Sequence, residues 1–352
     1  MAVFKNEQRG TWTVKVRYTD WTGTAKQKKK EGFKTKKEAQ SFELDFLNSC
    51  KTDINITFEN LVIDYMDDCK TRLKPTTFAN KEVLIRTKIL PYFAKMSLNT
   101  IEVSTVRKWQ NELIKDSRNY APTYLKTVHN QLSAILNYAV KYYSLPFNPA
   151  ARCGSMGKKN AESMQIWTKD QFDEFIKALS NKPASKLIFT LLFYSGMRSG
   201  ELLALTLNDF DFEKGTVNIN KNYARLNGAD LIQEPKTPKS RRIVTIPPQI
   251  LNMVKEYVQN LYEYEANERL FTITKFFLKH EMPEGCKESG VNRIRIHDLR
   301  HSHASLLIEL GFSPLLISER LGHENIETTL NTYSHLYPNK HGEVSAKLST
   351  LI

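Results

Sequence analysis

The stretch His297-Asp298-Leu299-Arg300, followed by Leu321-Gly322-His323 and then by Thr328-Thr329-Leu330-Asn331-Thr332-Tyr333-Ser334, decides how the rest of the chain is read. His297 and Arg300 stand three positions apart, so on a helix they share a face and address one ligand together. An imidazole beside a guanidinium suits a phosphate. The guanidinium binds two oxygens with a planar fork, the imidazole moves a proton near neutral pH, and a tyrosine hydroxyl is a competent nucleophile. A His-x-x-Arg pair by itself is more often a solvated helix face, and Tyr333 is one of 15 tyrosines. The signal is the order and spacing of all the pieces, together with Phe193-Tyr194-Ser195-Gly196-Met197-Arg198-Ser199-Gly200-Glu201-Leu202 far upstream, where glycines flank an arginine between two predicted helices.

With 352 residues the chain has room for two or three domains of ordinary size. Its hydrophobic content is 41%, and no apolar run approaches the ~20 residues that span a bilayer. The first residues lack the basic-then-apolar pattern of a secretory signal, so the sequence reads as cytosolic with no membrane partner. A net charge of +13 and a pI near 9.4 point to a polyanionic partner, because Lys and Arg gain affinity by releasing counterions from phosphates. Cys50, Cys69, Cys153 and Cys286 form no C-x-x-C pair and read as free thiols in a reducing compartment.

The first ~50 residues read as a module of their own. Residues 11–18 alternate aromatic or β-branched with polar side chains, Trp21-Thr22-Gly23 reads as a turn, and a second extended stretch ends near Phe33. Thr35-Lys36-Lys37-Glu38 then has the form of a capping box, opening a helix that buries Ala39, Phe42 and Phe46. Residues 1–37 carry eleven Lys or Arg against three Asp or Glu. A sheet so basic, bearing Trp12, Lys15, Arg17, Tyr18, Lys28, Lys29 and Lys30, suits a DNA groove. From Thr57 to Asn148 the period is helical, with Phe58, Leu61, Val62 and Tyr65 on one face and further helix starts at Lys74-Pro75, Ser104-Thr105 and Ala121-Pro122. The second of these helices carries Phe78, Val83 and Ile85, and the last runs through Val128, Leu132, Ile135, Leu136 and Ala139. Lys74, Lys81, Lys88, Lys108, Lys126 and Lys141 are candidates to face a phosphate backbone or simply water. Pro146 to Pro149 ends the bundle, Gly154 to Ser163 reads as a linker, and Asp53 to Thr57 as a tether. Beyond it, Trp167-Thr168 starts a helix, Leu187 to Tyr194 is an apolar helix leading to Arg198, and Glu201 to Leu207 is read as another helix. Residues 216–220 and 241–247 read as strands joined through residues 235–240.

At this point the chain resembles a tyrosine recombinase of the phage-integrase family, lambda-integrase-like, with an arm-type DNA-binding N-terminal domain. The likeness extends over essentially the whole length and rests on six ordered residues: Arg198, Lys236, His297, Arg300, His323 and Tyr333. It implies a multidomain fold: a small β-sheet plus helix (1–52), an all-α core-binding bundle (53–153) and a mainly α catalytic domain with a small antiparallel sheet (164–352), the last two closing as a clamp around duplex DNA. It implies that Arg198 and Arg300 clamp one phosphate, that Tyr333 attacks it and holds the 3′ side, and that Lys236 protonates the leaving 5′-oxygen, with Lys239 as the alternative on the same turn. His297 would assist removal of the tyrosine proton, His323 would donate a hydrogen bond to the phosphate, and Glu201 would orient Arg198. No cofactor or metal is implied. The implied partners are core-type and arm-type attachment DNA, copies of the chain assembling from monomers into a tetramer on synapsed DNA, a DNA-bending accessory protein and an excisionase, all in a bacterial host cytoplasm at the nucleoid.

Two readings of other classes compete. In the His297, His301 and His303 cluster, the i, i+4 histidine pair could chelate zinc in a metal-dependent hydrolase, although the third and fourth ligands are not evident and the arginine between them suits a phosphate better than a cation. A non-catalytic DNA-binding protein would need no complete set of six. A type IB topoisomerase shares the chemistry, but the separate basic N-terminal module argues for recombination between specified sites.

Overall fold

The computed structural model describes residues 3–6, 10–19, 25–50, 56–158, 164–235, 237–336 and 349, with the backbone alone at 6, 19, 45 and 47–50. The turn expected at Trp21-Thr22-Gly23, most of the tether at 53–57 and the second half of the linker at 154–163 lie outside these residues. The chain divides into two units, Met1–Glu162 and Ser163–Ile352.

The first unit opens with strands β1 (Val3–Asn6), β2 (Thr11–Thr19) and β3 (Ala25–Phe33) in an antiparallel sheet of order β1-β2-β3, followed by helix α1 (Lys36–Cys50). β1, only four residues long, is too short to stand out in the sequence. Thr35 and Glu38 cap α1 reciprocally, the Glu38 amide donating to Thr35 Oγ1 at 3.2 Å and the Thr35 amide to Glu38 Oε2 at 3.4 Å. Pleat parity then sorts the sheet into two faces. Val14, Val16 and Ala39 are buried, with Trp12, Phe33, Phe42 and Phe46 packed around them, so this face belongs to α1.

A separate core fills the helical part: α2 (Phe58–Arg72), α3 (Pro75–Leu84), α4 (Leu90–Phe93), α5 (Val103–Ile114), α6 (Pro122–Tyr142) and α7 (Pro149–Cys153). Phe58, Phe93 and Trp109 pack in series with ring centroids 5.4 Å apart, the first pair tilted and the second edge-to-face, and each is essentially sealed from solvent. Truncating Phe93 to alanine would cost about 3–5 kcal/mol. Between α3 and α4 the chain widens into a π turn, Ile85–Ile89, where the Leu90 amide reaches back five residues to Ile85 O. Pro91 follows with no N–H of its own, so the regular ladder cannot be kept there. Val83, on α3 ahead of this turn and five residues beyond Phe78, is rotated off the Phe78 face and is 50% exposed. The third helix begins at Val103, its cap at Glu102, one residue ahead of the expected start. After α7, Gly154–Lys158 does not run free: Met156 is buried and the Lys158 amide donates to Pro122 O at 3.2 Å.

The second unit holds α8 (Lys169–Ala178), α9 (Pro183–Ser195), α10 (Ser199–Leu202), strands β4 (Phe210–Asp211), β5 (Thr216–Ile219), β6 (Asn222–Leu226), β7 (Ala229–Gln233) and β8 (Arg242–Thr245), then α11 (Pro248–Gln259), α12 (Lys275–Ser289), α13 (Asp298–Glu309), α14 (Pro314–Leu321) and α15 (Ile326–Tyr333). β4, β5 and β8 form one antiparallel sheet, and β6 and β7 form a hairpin. The hairpin turns at Asn227 and Gly228, both with positive φ, as a two-residue turn matched to strand twist requires. The helix expected over Glu201 to Leu207 is shorter: α10 ends at Leu202, because Thr206 and Asp209 cap each other and start a 3-10 turn at Leu207–Asp209. Most of the core packs around α9, where Phe172 and Phe193 stack at 3.8 Å. Trp167 ties the start of the unit to its end, its amide donating to Ser302 Oγ at 2.9 Å and its indole N–H to Asn292 O at 2.7 Å. A second, smaller core of Ala304, Leu307, Ile308, Ile317, Leu321 and Tyr333 lies under α13, α14 and α15.

Candidate active site

Arg198 stands at the cap of α10, directly after α9 has ended on Gly196 in the left-handed region (φ +65°). A Cβ at position 196 would also lie 2.5 Å from His303 Cδ2 and 2.8 Å from Leu321 Cδ2, so glycine is required by both conformation and space. Glu201, one turn on, accepts the Arg198 amide at 2.8 Å and Arg198 Nη1 at 2.6 Å. Its second arginine partner is Arg242 on β8, whose Nη2 donates to Oε2 at 2.9 Å. Burial alone would raise the Glu201 carboxyl, but the Arg242 charge and hydrogen bond, with Arg198 behind them, hold it below the usual range. The carboxylate therefore stays ionised and braces two arginines.

Arg300 is the hub. It is 2% exposed, and its Nη1 donates to Gly196 O at 2.8 Å while Nη2 donates to Leu321 O at 2.6 Å. One guanidinium thus joins the loop carrying Arg198, the helix α13 and the end of α14, which explains why motifs so far apart in sequence occur together. Burial, then the charges of Arg198 and Arg242, push its pKa down. Glu201 pairs with Arg198 and Arg242 and leaves Arg300 without a carboxylate partner, and an excess of positive charge of this kind is a seat for an anion.

Gly322 ends α14 in the left-handed region (φ +68°), and a Cβ there would lie 2.9 Å from Lys239 O. His323 follows, with Nδ1 2.7 Å from the hydroxyl of Thr329, a fully buried residue of α15. Desolvation, with Arg300 and Arg198 adding to it, lowers the His323 pKa to about 4. Tyr333 closes α15, 1% exposed, with its ring in the smaller core. Burial drives its hydroxyl up to about 12, only partly opposed by Arg300. The free tyrosine is therefore fully protonated at neutral pH and needs an acceptor.

Arg198, Arg300, His323 and Tyr333 are gathered in one place. His297 is at the edge, solvent-exposed at the start of α13, with its ring edge-on to His301 at 5.1 Å between centroids. Lys236 lies outside the described residues. Lys239, its alternative on the same turn, donates from Nζ to Glu324 O at 2.9 Å, next to His323. Several residues that sequence reading passed over also belong here. Arg242, the second of two adjacent arginines in a strand, and Thr329, one of several threonines near Tyr333, carry no local mark of such a role, and His301 enters the sequence reading only as a zinc ligand.

The zinc reading is not supported. His303 Nε2 accepts from Arg320 Nε at 3.0 Å, His301 Nδ1 is paired with Tyr333, and His297 faces solvent, so the three rings do not converge on one point. Among the described residues the group of ligand type that does converge is His280, Glu281 and Glu284, and Lys182 already places an ammonium against both of its carboxylates.

In the N-terminal sheet the seven candidate DNA-contacting residues fall on opposite faces. Trp12, Tyr18, Lys28 and Lys30 lie on the face covered by α1, where Tyr18 meets the Phe46 ring edge-on at 5.2 Å and the Lys28 and Lys30 ammoniums sit over Phe46 and Phe42 at 4.5 and 4.3 Å. Lys15, Arg17 and Lys29 lie on the open face, and Lys15 pairs directly across from Lys29. Of the bundle lysines, Lys81 is committed to Tyr65 and Gln131, and Lys88 to the Tyr120 hydroxyl.

This geometry agrees with relationships to known proteins. Residues 165–340 match the phage integrase family, residues 57–114 its N-terminal SAM-like domain, and residues 3–50 an arm DNA-binding domain. The ICEBs1 integrase of Bacillus subtilis is 30% identical over 323 residues, covering 85% of this chain and 84% of that protein. A XerC-like tyrosine recombinase of Caldanaerobacter subterraneus is 27% identical over 346 residues, covering 87% and 88%. Among solved structures, the Tn1549 transposon integrase bound to a circular intermediate DNA superposes with a TM-score of 0.69 at 18% identity, covering 84% of this chain and all of that one. A lambda integrase dimer on a core site superposes at 0.62 and 16%, covering 97% and 95%. The chain belongs to the phage integrase family. It is a tyrosine-type site-specific DNA recombinase, of the class that serves phages and mobile elements.

The buried histidines make stability depend on pH. His303 is pushed to about 3, chiefly by burial, and His323 to about 4. Both are neutral in the folded protein, whereas in the unfolded chain they take up protons below about 6.5. Stability is thus complete above about pH 6.5 and falls as pH drops towards 4, with a slope of about 1.4 kcal/mol per pH unit for each histidine. Glu201 and Asp298, held low by their arginines, add to the loss only below the ordinary carboxylate range. Urea unfolding at pH 7.5, 6 and 5 measures this, and a flat profile over that range would contradict the burial of His303.

Proposed function

We propose that this recombinase cuts and rejoins duplex DNA at specified attachment sites through a phosphotyrosyl intermediate on Tyr333. Arg198 and Arg300 hold the non-bridging oxygens of one phosphate, and His323 donates to it from Nε2, with Thr329 engaging Nδ1. Positive charge concentrated where the transition state spreads negative charge is the main source of rate. Tyr333 Oη attacks phosphorus and stays on the 3′ side, and the 5′-oxygen leaves with a proton from Lys236. Because the phosphotyrosine keeps the bond energy, religation to a second strand needs no nucleotide. The observation that carries this reading is Arg300, buried among other arginines and bridging Gly196 and Leu321, with Tyr333 beside it.

Three modules support site specificity: 1–52 as an arm-type DNA reader through Lys15, Arg17 and Lys29, 53–153 as a core-site binder, and 164–352 as the catalytic domain. On this open face Lys15 lies directly across from Lys29, and Lys29 is paired with the Glu31 carboxylate, so Lys15 and Arg17 are the cations offered first to a phosphate. Lambda integrase has been solved as a tetramer on a Holliday junction, and we extend that assembly to four copies of this chain on synapsed DNA, assembled from monomers, with a DNA-bending protein and an excisionase setting direction.

The test is a nicked suicide duplex incubated with the full chain in excess EDTA and without nucleotide. A protease-sensitive covalent adduct is expected, since the arginines and Lys236 supply the charge that metals provide elsewhere. An adduct formed only after zinc or magnesium is restored would overturn the reading. In the same assay Lys236→Ala should be slow on ordinary DNA and recover on a duplex whose bridging 5′-oxygen is sulfur, because a thiolate departs without a proton. Recovery in Lys239→Ala alone would move the acid three residues along the turn.

A further inference from the structure

The proton of Tyr333 needs a destination, and the geometry points to His301. We propose that His301, rather than His297, accepts the Tyr333 proton during attack, and that His297 is a positioning residue stacked edge-on against it. This rests on Tyr333 being the nucleophile.

His301 Nδ1 lies 2.7 Å from the Tyr333 hydroxyl, within reach for direct transfer, and the two rings are tilted at 58° with centroids 5.6 Å apart. The spacing that puts His297 and His301 one turn apart on α13 leaves His297 at the exposed start of the helix and points His301 at α15. His303, the third ring, is spoken for by Arg320. His301 is half-buried, and desolvation lowers its pKa, so the ring is neutral and able to accept at pH 7. The charged and titratable groups around it are Asp298, Arg300 and His297 on α13, Arg295 just before that helix, Tyr333 on α15, and His323 after α14. Asp298 alone among these favours a charged ring. It is 2% exposed and held as a carboxylate by Arg295, which donates from its amide, Nε and Nη2 at 3.0, 2.9 and 2.7 Å. An imidazolium formed on His301 is therefore opposed by Arg300 and favoured by Asp298 and by the DNA phosphate.

The step balances without any further reactant. The Tyr333 O–H bond breaks and its proton goes to His301 Nδ1. The Oη lone pair forms the bond to phosphorus, the bond to the 5′-oxygen breaks, and that oxygen takes a proton from Lys236. On religation a 5′-hydroxyl returns its proton to Lys236, attacks phosphorus, and Tyr333 leaves with the proton from His301.

His301→Asn separates accepting from positioning, because an asparagine oxygen can occupy the place of Nδ1 and hold the hydroxyl yet cannot take its proton. Single-turnover cleavage of the nicked duplex should fall about 10²–10⁴-fold in His301→Asn, with DNA affinity within about twofold of wild type. The residual rate should keep climbing with pH across the alkaline range, as the small ionised fraction of Tyr333 grows and substitutes for the base, and the bridging 5′-thio substrate should not restore it. His301→Gln, tested alongside, should behave the same, and unchanged DNA affinity in either variant shows that the fold is kept. His297→Gln should lose less than His301→Asn. Wild-type cleavage by His301→Asn would overturn the proposal, as would faster cleavage, which would mean that His301 only parks the tyrosine. Restoration by the thio substrate, or a larger loss in His297→Gln, would overturn it too. A normal adduct from Tyr333→Phe would instead remove the nucleophile on which the proposal rests, whatever His301 does.

Discussion

Tyr333→Phe should abolish covalent capture of DNA while leaving DNA affinity within about twofold. The substitution removes one hydroxyl and no charge, and the ring that fills the small core with Ala304, Leu307, Ile308, Ile317 and Leu321 is retained. The lost hydrogen bond to His301 is partly buried, so stability should change by no more than about 0.5–1.5 kcal/mol. A gel-resolved adduct assay beside a binding isotherm checks both halves. An adduct of normal yield would exclude Tyr333 as nucleophile, and a collapse of binding would mean that the hydroxyl holds the fold.

Arg300→Gln should have the next largest effect, lowering cleavage by about 10³-fold or more, since it removes one side of the proposed phosphate clamp and the bridge between the arginine loop and α14. Its effect on stability should be far smaller. Two opposing terms act there: the carbonyls of Gly196 and Leu321 lose a donor, at about 1–3 kcal/mol each, while a buried cation pressed by Arg198 and Arg242 is removed. A Tm within a few degrees of wild type is the expected outcome, with DNA binding weakened and cleavage almost gone. Cleavage within tenfold of wild type would show that Arg300 is a structural strut and not a phosphate ligand.

Much of the architecture was legible because local signals and burial agreed. Thr35 with Glu38 and Thr168 with Gln171 cap helices as their spacing indicates, and the faces carrying Phe58, Leu61, Val62 and Tyr65, or Val128, Leu132, Ile135 and Leu136, are the buried ones. The motifs of the proposed site stand out for a different reason. Arg198 and His323 follow glycines that must be left-handed, and such glycines leave a mark that periodicity does not.

What escaped depends on partners distant in sequence. Arg242 is decided by Glu201 and the carbonyl of Arg320, and Thr329 by His323, and neither partner is visible from local pattern. His297 and His301 cannot be ranked by spacing alone, because both lie on the face that also bears Arg300; the packing of α15 decides which one meets Tyr333. One miss had a local signal. Asn227-Gly228 between two extended runs marks the β6–β7 hairpin, and the proline-rich segment beyond it drew the reading of the whole connection. In the N-terminal sheet, composition indicated a basic surface correctly, but only strand register separates Lys15, Arg17 and Lys29 from residues that pack under α1.

The most direct measurement is to digest the adduct formed by the full-length protein on a nicked duplex and to sequence both the linked peptide and the DNA end. A phosphodiester between the Tyr333 oxygen and a 3′-phosphate, with a free 5′-hydroxyl on the released strand, is the predicted result. Linkage through any other residue, or to a 5′-phosphate, would contradict the account.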